Sequence, residues 1–170
     1  MAYPGKKLAI LNQVISLLSA ITVANGFPLT VIKVSTEDLD INDIRSEDTP
    51  HICLSFGSAG NNAFTTTGSN IDSVMTVIID CYIVTQPEVN PTLELDKLLW
   101  SVEHALLNGT PNTPWNDKYK TASLGGVLDY IYYVSFDDLS NTDEGLLTLI
   151  NKAYARQAVT IKYLRSTINP

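Results

Sequence analysis

Several motifs that mark catalytic and metal sites are missing from this 170-residue sequence. It contains no GxSxG, no Walker A loop, no HExxH and no GxGxxG. The only histidines are His51 and His104, and a histidine in a predicted helix is more often a partly buried polar side chain than a base. The sequence therefore indicates a protein that is not an enzyme, and we expect no catalytic residue, no metal and no cofactor.

Cysteine is scarce, and its spacing carries no metal-site pattern. Cys53 and Cys81 lie far apart in two apolar, strand-like runs, with no CxxC and no Cys/His spacing. This placement favours two buried free thiols, as in a reducing compartment, over a disulfide. Zinc needs a set of ligands that the sequence does not offer.

Positive charge is also scarce, with 11 Lys and Arg against 18 Asp and Glu, a net charge of −7 and a pI near 4.6. Such a balance disfavours a general grip on nucleic acid, which needs clustered cations, but it permits a surface past which DNA slides. No run reaches the about 20 apolar residues that span a bilayer. The apolar N-terminal stretch is interrupted at helical intervals by Asn12, Gln13, Ser16 and Ser19, which indicates a helix and not a signal peptide.

Two amphipathic helices are predicted. The first has its apolar positions at helical spacing and is predicted to end at Asn25-Gly26. The second has Asn90 as its cap, Pro91 at its first position and Asn108-Gly109 at its end.

The strands are predicted from β-branched and apolar runs. They cover residues 29–34, 51–56, 73–86, 127–136 and 157–167, while residues 35–50 read as an acidic surface connection and 137–156 stay ambiguous. In the fourth strand, Leu128, Tyr130, Tyr132 and Val134 alternate as residues on one sheet face do. With 45% hydrophobic residues and no linker, the chain is predicted to be one domain, 1–170. We expect an α+β fold: a mostly antiparallel sheet of about four to five strands, two main helices packed on one face, and a long hairpin loop.

Two polar loops are longer than a turn requires. The first, SFGSAGNNAFTTTGSNID (55–72), is predicted to be a hairpin arm with one apolar anchor, Phe64, and to contact an adjacent subunit or tail ring. The second loop carries Trp115. The predicted subunit or partner interface comprises Asn61, Asn62, Phe64, Thr65, Trp115, Asp143, Glu144 and Arg165.

Clustered carboxylates and tyrosines allow two interpretations each. The segment DDLSNTDEG (137–145) is most simply solvated loop charge, although Asp143 and Glu144 could contact a partner. The strand YIYY (130–133) could mark an interface, where Tyr is enriched, or could pack alternate rings on the core.

The order of segments resembles that of the tail terminator proteins of long-tailed bacteriophages, the lambda minor tail protein U type. The N-terminal helix ILNQVISLLSAITVANGF leads to TVIKV, an acidic connection and DTPHICLSF. The long strand TVIIDCYIVTQ precedes the helical PTLELDKLLWSVEHALLNG, and DEGLLTLINKAYARQAVTIKYLRST is similar to the family's closing segment. The loop from Gly57 and the loop around Trp115 look longer than the family pattern.

The resemblance implies a structural protein of the virion tail and neck, assembled in the host cytoplasm. Such proteins form a ring, usually a homohexamer, on the last ring of the tail tube. They stop tube growth and meet the head–tail connector or head-completion protein, while genomic DNA passes through the lumen without sequence-specific binding. The implied partners are therefore other copies of the chain, the tail tube protein and the connector, and no membrane.

Two alternatives stay open. The first is another phage neck, tail-completion or head-closure protein, because these share small α+β folds. The second is a small α+β ligand-binding domain or enzyme, which predicts a deep pocket with convergent polar groups.

Overall fold

The computed structural model describes residues 5–37, 39–57, 66–67, 70–139, 146–148 and 150–166. Its helices are α1 (Lys6–Ser19), α2 (Pro91–Leu107) and the short α3 (Lys118–Ala122). Its strands are β1 (Lys33–Ser35), β2 (His51–Phe56), β3 (Thr66–Thr67), β4 (Asn70–Val84), β5 (Gly109–Thr110), β6 (Thr113–Pro114), β7 (Ile131–Asp138), β8 (Leu146–Thr148) and β9 (Lys152–Ser166). Helices and a mixed sheet together confirm the α+β class.

The main sheet has the strand order β1-β2-β4-β9-β7. Its neighbours pair antiparallel except β1 with β2, which run parallel. The short β3 pairs with β4 and β8 pairs with β9, while β5 and β6 form a separate two-stranded hairpin. The predicted mostly antiparallel sheet is therefore confirmed.

Strands β4 and β9 are each 15 residues long and pair along their whole length, from Asn70 opposite Ser166 to Val84 opposite Lys152. Side chains alternate between the two faces of a strand. In β4, the odd-numbered residues from Met75 to Ile83 enter the main core, whereas Asp80 and Tyr82 face the other side. The sheet thus has a helix-covered face and a second face.

The main core lies between the first sheet face and helices α1 and α2. Each helix contributes an apolar stripe at helical spacing. The buried hydrophobic residues of the helices are Ile10, Leu11, Val14 and Leu18 in α1 and Leu95, Leu98, Val102, Ala105 and Leu106 in α2. Each fully buried Leu, Ile or Val contributes about 1.5–3 kcal/mol of transfer free energy.

Local signals set the ends of α2 as predicted. The Asn90 side chain accepts a hydrogen bond from the Thr92 N–H at 2.9 Å, and Pro91 occupies the first turn. The prediction for α1 was wrong at its C-terminus. The helix ends at Ser19, and Gly26, at φ +92°, instead caps a separate 3-10 turn, Val23–Asn25.

The predicted first strand was also largely wrong, since only residues 33–35 pair. Leu29 and Val31 are buried in the core beside α1 without joining the sheet, and the Val31 N–H bonds to the Ile21 carbonyl at 2.9 Å. Strand β9 begins at Lys152, five residues earlier than predicted.

Strand β7 begins at Ile131 and not at residue 127, and an irregularity between Ile131 and Tyr133 shifts its register against β9. Of the predicted alternation of Leu128, Tyr130, Tyr132 and Val134 on one sheet face, only Tyr132 is wrong, because Leu128, Tyr130 and Val134 pack against the main core. Ile131 is fully buried, whereas Tyr132 and Tyr133 follow each other on the surface, 45% and 44% exposed.

The connection from β2 to β4 is a hairpin extension, as predicted. Strand β2 pairs only as far as Val77, and β4 continues seven residues beyond that point, where β3 pairs with Asn70 and Ile71. Residues 58–65 and 68–69 lie outside the described part of the chain. The predicted contacts of Asn61, Asn62, Phe64 and Thr65 therefore stay predictions.

The second long loop contains structure that the sequence did not predict, namely the β5–β6 hairpin and α3. Trp115 packs between two glycines: a Cβ on Gly109 would lie 2.6 Å from Trp115 Nε1, and one on Gly125 would lie 2.9 Å from Cζ2. Both glycines have positive φ angles, +80° and +89°. The indole ring therefore ties the end of α2 to the chain that follows α3.

We expect Gly109→Ala to lower the free energy of unfolding by about 1–3 kcal/mol, because alanine is strained at φ +80° and its methyl group would overlap Trp115. Gly5→Ala is the control, since a Cβ there meets nothing within 4 Å. Urea unfolding would measure both variants. Equal stability of the two variants would contradict this description of the Trp115 contact.

Candidate functional site

Most of the residues predicted to form an interface have no described side chain. Asp143 and Glu144 lie outside the described residues, and Arg165 is described only as a backbone position of β9 opposite Ile71. Trp115 is partly exposed, and one part of its indole ring packs against Gly109 and Gly125. The described residues thus do not bring the predicted set together.

The second sheet face carries a feature that the sequence did not predict. Residues 36–37 and 39–48, which we call the strap, cross this face at one end of the sheet. Ile44 of the strap is buried with Cys53 and Tyr82 in a second small core, and Leu39 and Ile41 pack against it. The prediction of a plain acidic surface connection was therefore wrong, because three apolar side chains among the acids find a partner on the sheet.

Side chains of the strands hold the strap through its backbone. The Cys53 thiol donates to the Glu37 carbonyl, and the Tyr82 hydroxyl donates to the Leu39 carbonyl at 3.1 Å. The Lys152 ammonium donates to the carbonyls of Ile41 and Asn42 at 3.0 and 2.9 Å. These bonds satisfy strap carbonyls that a loop would otherwise leave to water.

Asp80 is the centre of a buried polar cluster beside the strap, and only 2% of its surface is exposed. Arg156 lies directly opposite on β9 and donates from Nε to Oδ1 at 2.7 Å and from Nη2 to Oδ2 at 3.0 Å. The Tyr154 hydroxyl donates to Oδ1 at 2.7 Å. A buried carboxylate is tolerated only when it is paired and hydrogen-bonded in this way.

The cluster alters the protonation of its members. Burial, followed by the hydrogen bond to Asp80, raises the pKa of Tyr154, and the hydrogen bond to Asp80 raises the pKa of Arg156. Both groups are therefore fixed in their protonated states as donors. Because both Asp80 oxygens already accept strong bonds, the cluster is built to hold charge in place, and a proton-transfer role would need these bonds to break.

A cleft of about 390 Å³ opens between the strap and this cluster. Its walls are strap residues 39–41 on one side and Asp80, Tyr82, Tyr154 and Arg156 on the other. The rings of Tyr82 and Tyr154 lie 5.0 Å apart. The cleft therefore combines aromatic walls with one partly exposed guanidinium group, which suits an apolar or aromatic group that carries a hydrogen-bond acceptor.

His51 lies at the other end of the strap, 2% exposed, with Nε2 2.8 Å from the Ser35 hydroxyl oxygen. Burial lowers the pKa of His51 from its ordinary value of 6.5, and the Lys33 charge adds to this, while Asp48 and Glu37 oppose it. The imidazole is therefore packed in its neutral form.

A group of three aromatic rings, formed by Phe27, Trp100 and His104, lies on the outer side of α2. The rings of Trp100 and His104 stack at 4.8 Å, and Phe27 meets both edge-on. Trp100 remains 48% exposed, and no described residue binds His104 Nε2. His104 is thus a partly buried polar side chain, as predicted.

One sequence signal pointed to the cluster. Asp80 interrupts the apolar run TVIIDCYIV, and an acid inside a central strand needs a partner. The partner could not be found without the pairing of β4 with β9, which places Arg156 opposite Asp80.

Both cysteines are buried thiols that form no disulfide, as predicted, and burial raises the pKa of the Cys81 thiol. Within the described ranges, no three His, Cys, Asp or Glu side chains lie close enough to hold a metal ion. None of the helices in these ranges has the length and hydropathy to cross a bilayer.

The sequence comparisons found no relatives. No protein-family model matches the chain, and no curated protein matches its sequence significantly.

We expect Asp80→Asn to lower the free energy of unfolding by about 2–3 kcal/mol, because it leaves Arg156 beside an uncharged amide; the 41% exposure of the arginine side chain limits the loss. Glu94→Gln is the control, since its pair with Lys97 is on the surface and contributes about 0.5 kcal/mol or less. Chemical unfolding of both variants provides the comparison. An Asp80→Asn protein as stable as the control would show that the ion pair of Asp80 with Arg156 contributes no more to stability than a surface pair.

The buried neutral imidazole predicts a loss of stability in weak acid. As the pH is lowered through about 6.5, the unfolded chain binds a proton at His51 before the folded chain does. The free energy of unfolding therefore decreases as the pH is lowered, by at most about 1.4 kcal/mol per pH unit. We expect His51→Gln to flatten this slope between about pH 7.5 and 5.5. Ser35→Ala, which keeps the imidazole, should retain the wild-type slope. If the free energy of unfolding decreased equally steeply with falling pH in His51→Gln and in the wild type, His51 would not be the group responsible.

Proposed function

We propose that this chain is a tail terminator protein of a long-tailed bacteriophage, which forms a ring at the head-proximal end of the tail tube. In this role it ends tube polymerisation and joins the tail to the head–tail connector. The proposal starts from the order of sequence segments that resembles this family. It is supported by the way those segments fold, as one continuous helix-backed sheet with a hairpin extension.

The observation that carries the proposal is the second sheet face beyond the strap. There β4, β9 and β7 present a broad surface on which Tyr132 and Tyr133 are nearly half exposed. On the same strands, Thr160 lies opposite Ser135 of β7 and Thr76 of β4, and the hydroxyl oxygens of the two threonines are 3.4 Å apart. A surface with clustered tyrosines and small polar side chains is typical of protein contacts, in which Tyr is enriched.

The hairpin extension supports the same role. Strand β4 runs seven residues past its pairing with β2, so this part of β4 extends beyond the end of β2. An arm of this kind can reach an adjacent subunit, and Phe64 is the residue we propose as its anchor. Asn61, Asn62 and Thr65 would then lie in the same contact.

A ligand-binding domain is the second candidate, and the cleft beside Asp80 favours it. The convergent polar groups of the cleft, however, mostly bind one another: Asp80 takes up two of the Arg156 donors and the Tyr154 hydroxyl. The arrangement therefore fits a packed or protein-filled cleft better than a site for a polar small molecule.

The ring is tested by light scattering and negative-stain electron microscopy of the purified protein, and its position by antibody labelling of intact virions. We expect a closed ring, and label at the top of the tail. A protein that stays monomeric and never labels this position would overturn the proposal. Label at the head vertex or baseplate would favour another neck or tail-completion protein.

A further inference from the structure

We propose that the cleft of one subunit binds the Tyr119 side chain of a second copy of this chain, with Lys118 and Lys120 on either side of it. This inference rests on the ring proposed above and names two surfaces that would meet at its subunit contact. We call residues Lys118, Tyr119 and Lys120 the α3 knob.

The α3 knob is exposed but firmly held. Tyr119 is 51% exposed, and both lysines are exposed. The Tyr119 N–H donates to the Asp117 carboxylate at 2.9 Å, and the Ser123 hydroxyl donates to the Tyr119 carbonyl. A Cβ on Gly126 would lie 3.3 Å from Tyr119 Cε1, so the ring rests on that glycine. A side chain that such contacts already position loses less conformational entropy when it binds.

The cleft offers the chemistry that a tyrosine ring requires. Tyr82, Tyr154, Leu39 and Ile41 supply apolar and aromatic walls, and the volume of about 390 Å³ accommodates one aromatic side chain with its neighbours. Among the described residues, Asp80 binds Nε and Nη2 of Arg156, and no partner is found for Nη1. This nitrogen is a donor for the phenol oxygen.

The charges of the two surfaces are complementary. Asp40 lines the cleft, and Asp43 stands in the same turn, where its N–H bonds to the Asp40 carbonyl at 3.0 Å; both side chains are exposed. Lys152 lies beneath this turn, where its ammonium binds the carbonyls of Ile41 and Asn42. An acidic rim therefore faces a knob with two lysines, which favours their approach.

The two surfaces cannot meet within one chain, because they lie on opposite sides of the sheet. The cleft is on the second face, whereas the segment after α3 lies with the helices: Leu124 is in the main core, and the Gln13 amide of α1 donates to its carbonyl at 3.0 Å. Two different surfaces of one chain that bind each other form a heterologous contact. Such contacts generate closed rings when the rotation between subunits allows closure.

The first test reverses the charge of the knob. We expect Lys118→Glu/Lys120→Glu to raise the protein concentration at half-assembly of the ring about tenfold, and added salt to weaken the wild-type ring. The matched control is Lys7→Glu/Lys97→Glu, which makes the same change in net charge on α1 and α2 and should assemble normally. Adding Asp40→Lys/Asp43→Lys to the knob variant should restore assembly.

A second variant tests the contribution of the Tyr119 side chain to the subunit contact. Tyr119→Ala removes an exposed side chain, so the monomer should keep its thermal unfolding temperature while assembly weakens. If the wild type forms rings and both knob variants do so equally well, this inference is wrong and the ring remains. If the wild type forms no ring under any condition, the proposed function and this inference fall together.

Discussion

The pairing of β4 with β9 is the constraint on which the rest of the structure depends. Its 15 residue pairs place Asp80 opposite Arg156 and Tyr82 opposite Tyr154 on one face of the sheet. The odd-numbered residues of β4 from Met75 to Ile83 lie on the other face. Because side chains alternate with a period of two, a slip of one residue would turn Asp80 into the helix-covered core. The ion pair and the hydrophobic pattern therefore specify the same register.

This register gives the sheet two faces with different roles. The first face is filled by α1 and α2 and provides most of the buried apolar surface. The second face holds the strap through Tyr82 and Lys152 and leaves a cleft beside it. The proposed contact between this cleft and α3 of a second copy would be head-to-tail, which is the kind of association that a ring requires.

The elements that could be predicted from sequence are those set by local signals. Helix α2 has its cap at Asn90 and its buried stripe in the sequence itself. The strap could not be predicted, because the burial of Ile44 depends on Cys53 and Tyr82, which come from other strands. The irregularity in β7 likewise arises from its pairing with β9 and reverses the expected face of Tyr132. The candidate cleft joins residues about 40 to 115 positions apart, beyond the reach of any local pattern.

The most direct measurement is an electron cryo-microscopy map of the assembled particle neck, at a resolution that distinguishes helices from strands. The account predicts a ring at the end of the tail tube in which α3 of each subunit lies against the strap side of its neighbour's sheet. A neck that lacks this chain, or a subunit contact made by the same surface of both copies, would contradict it.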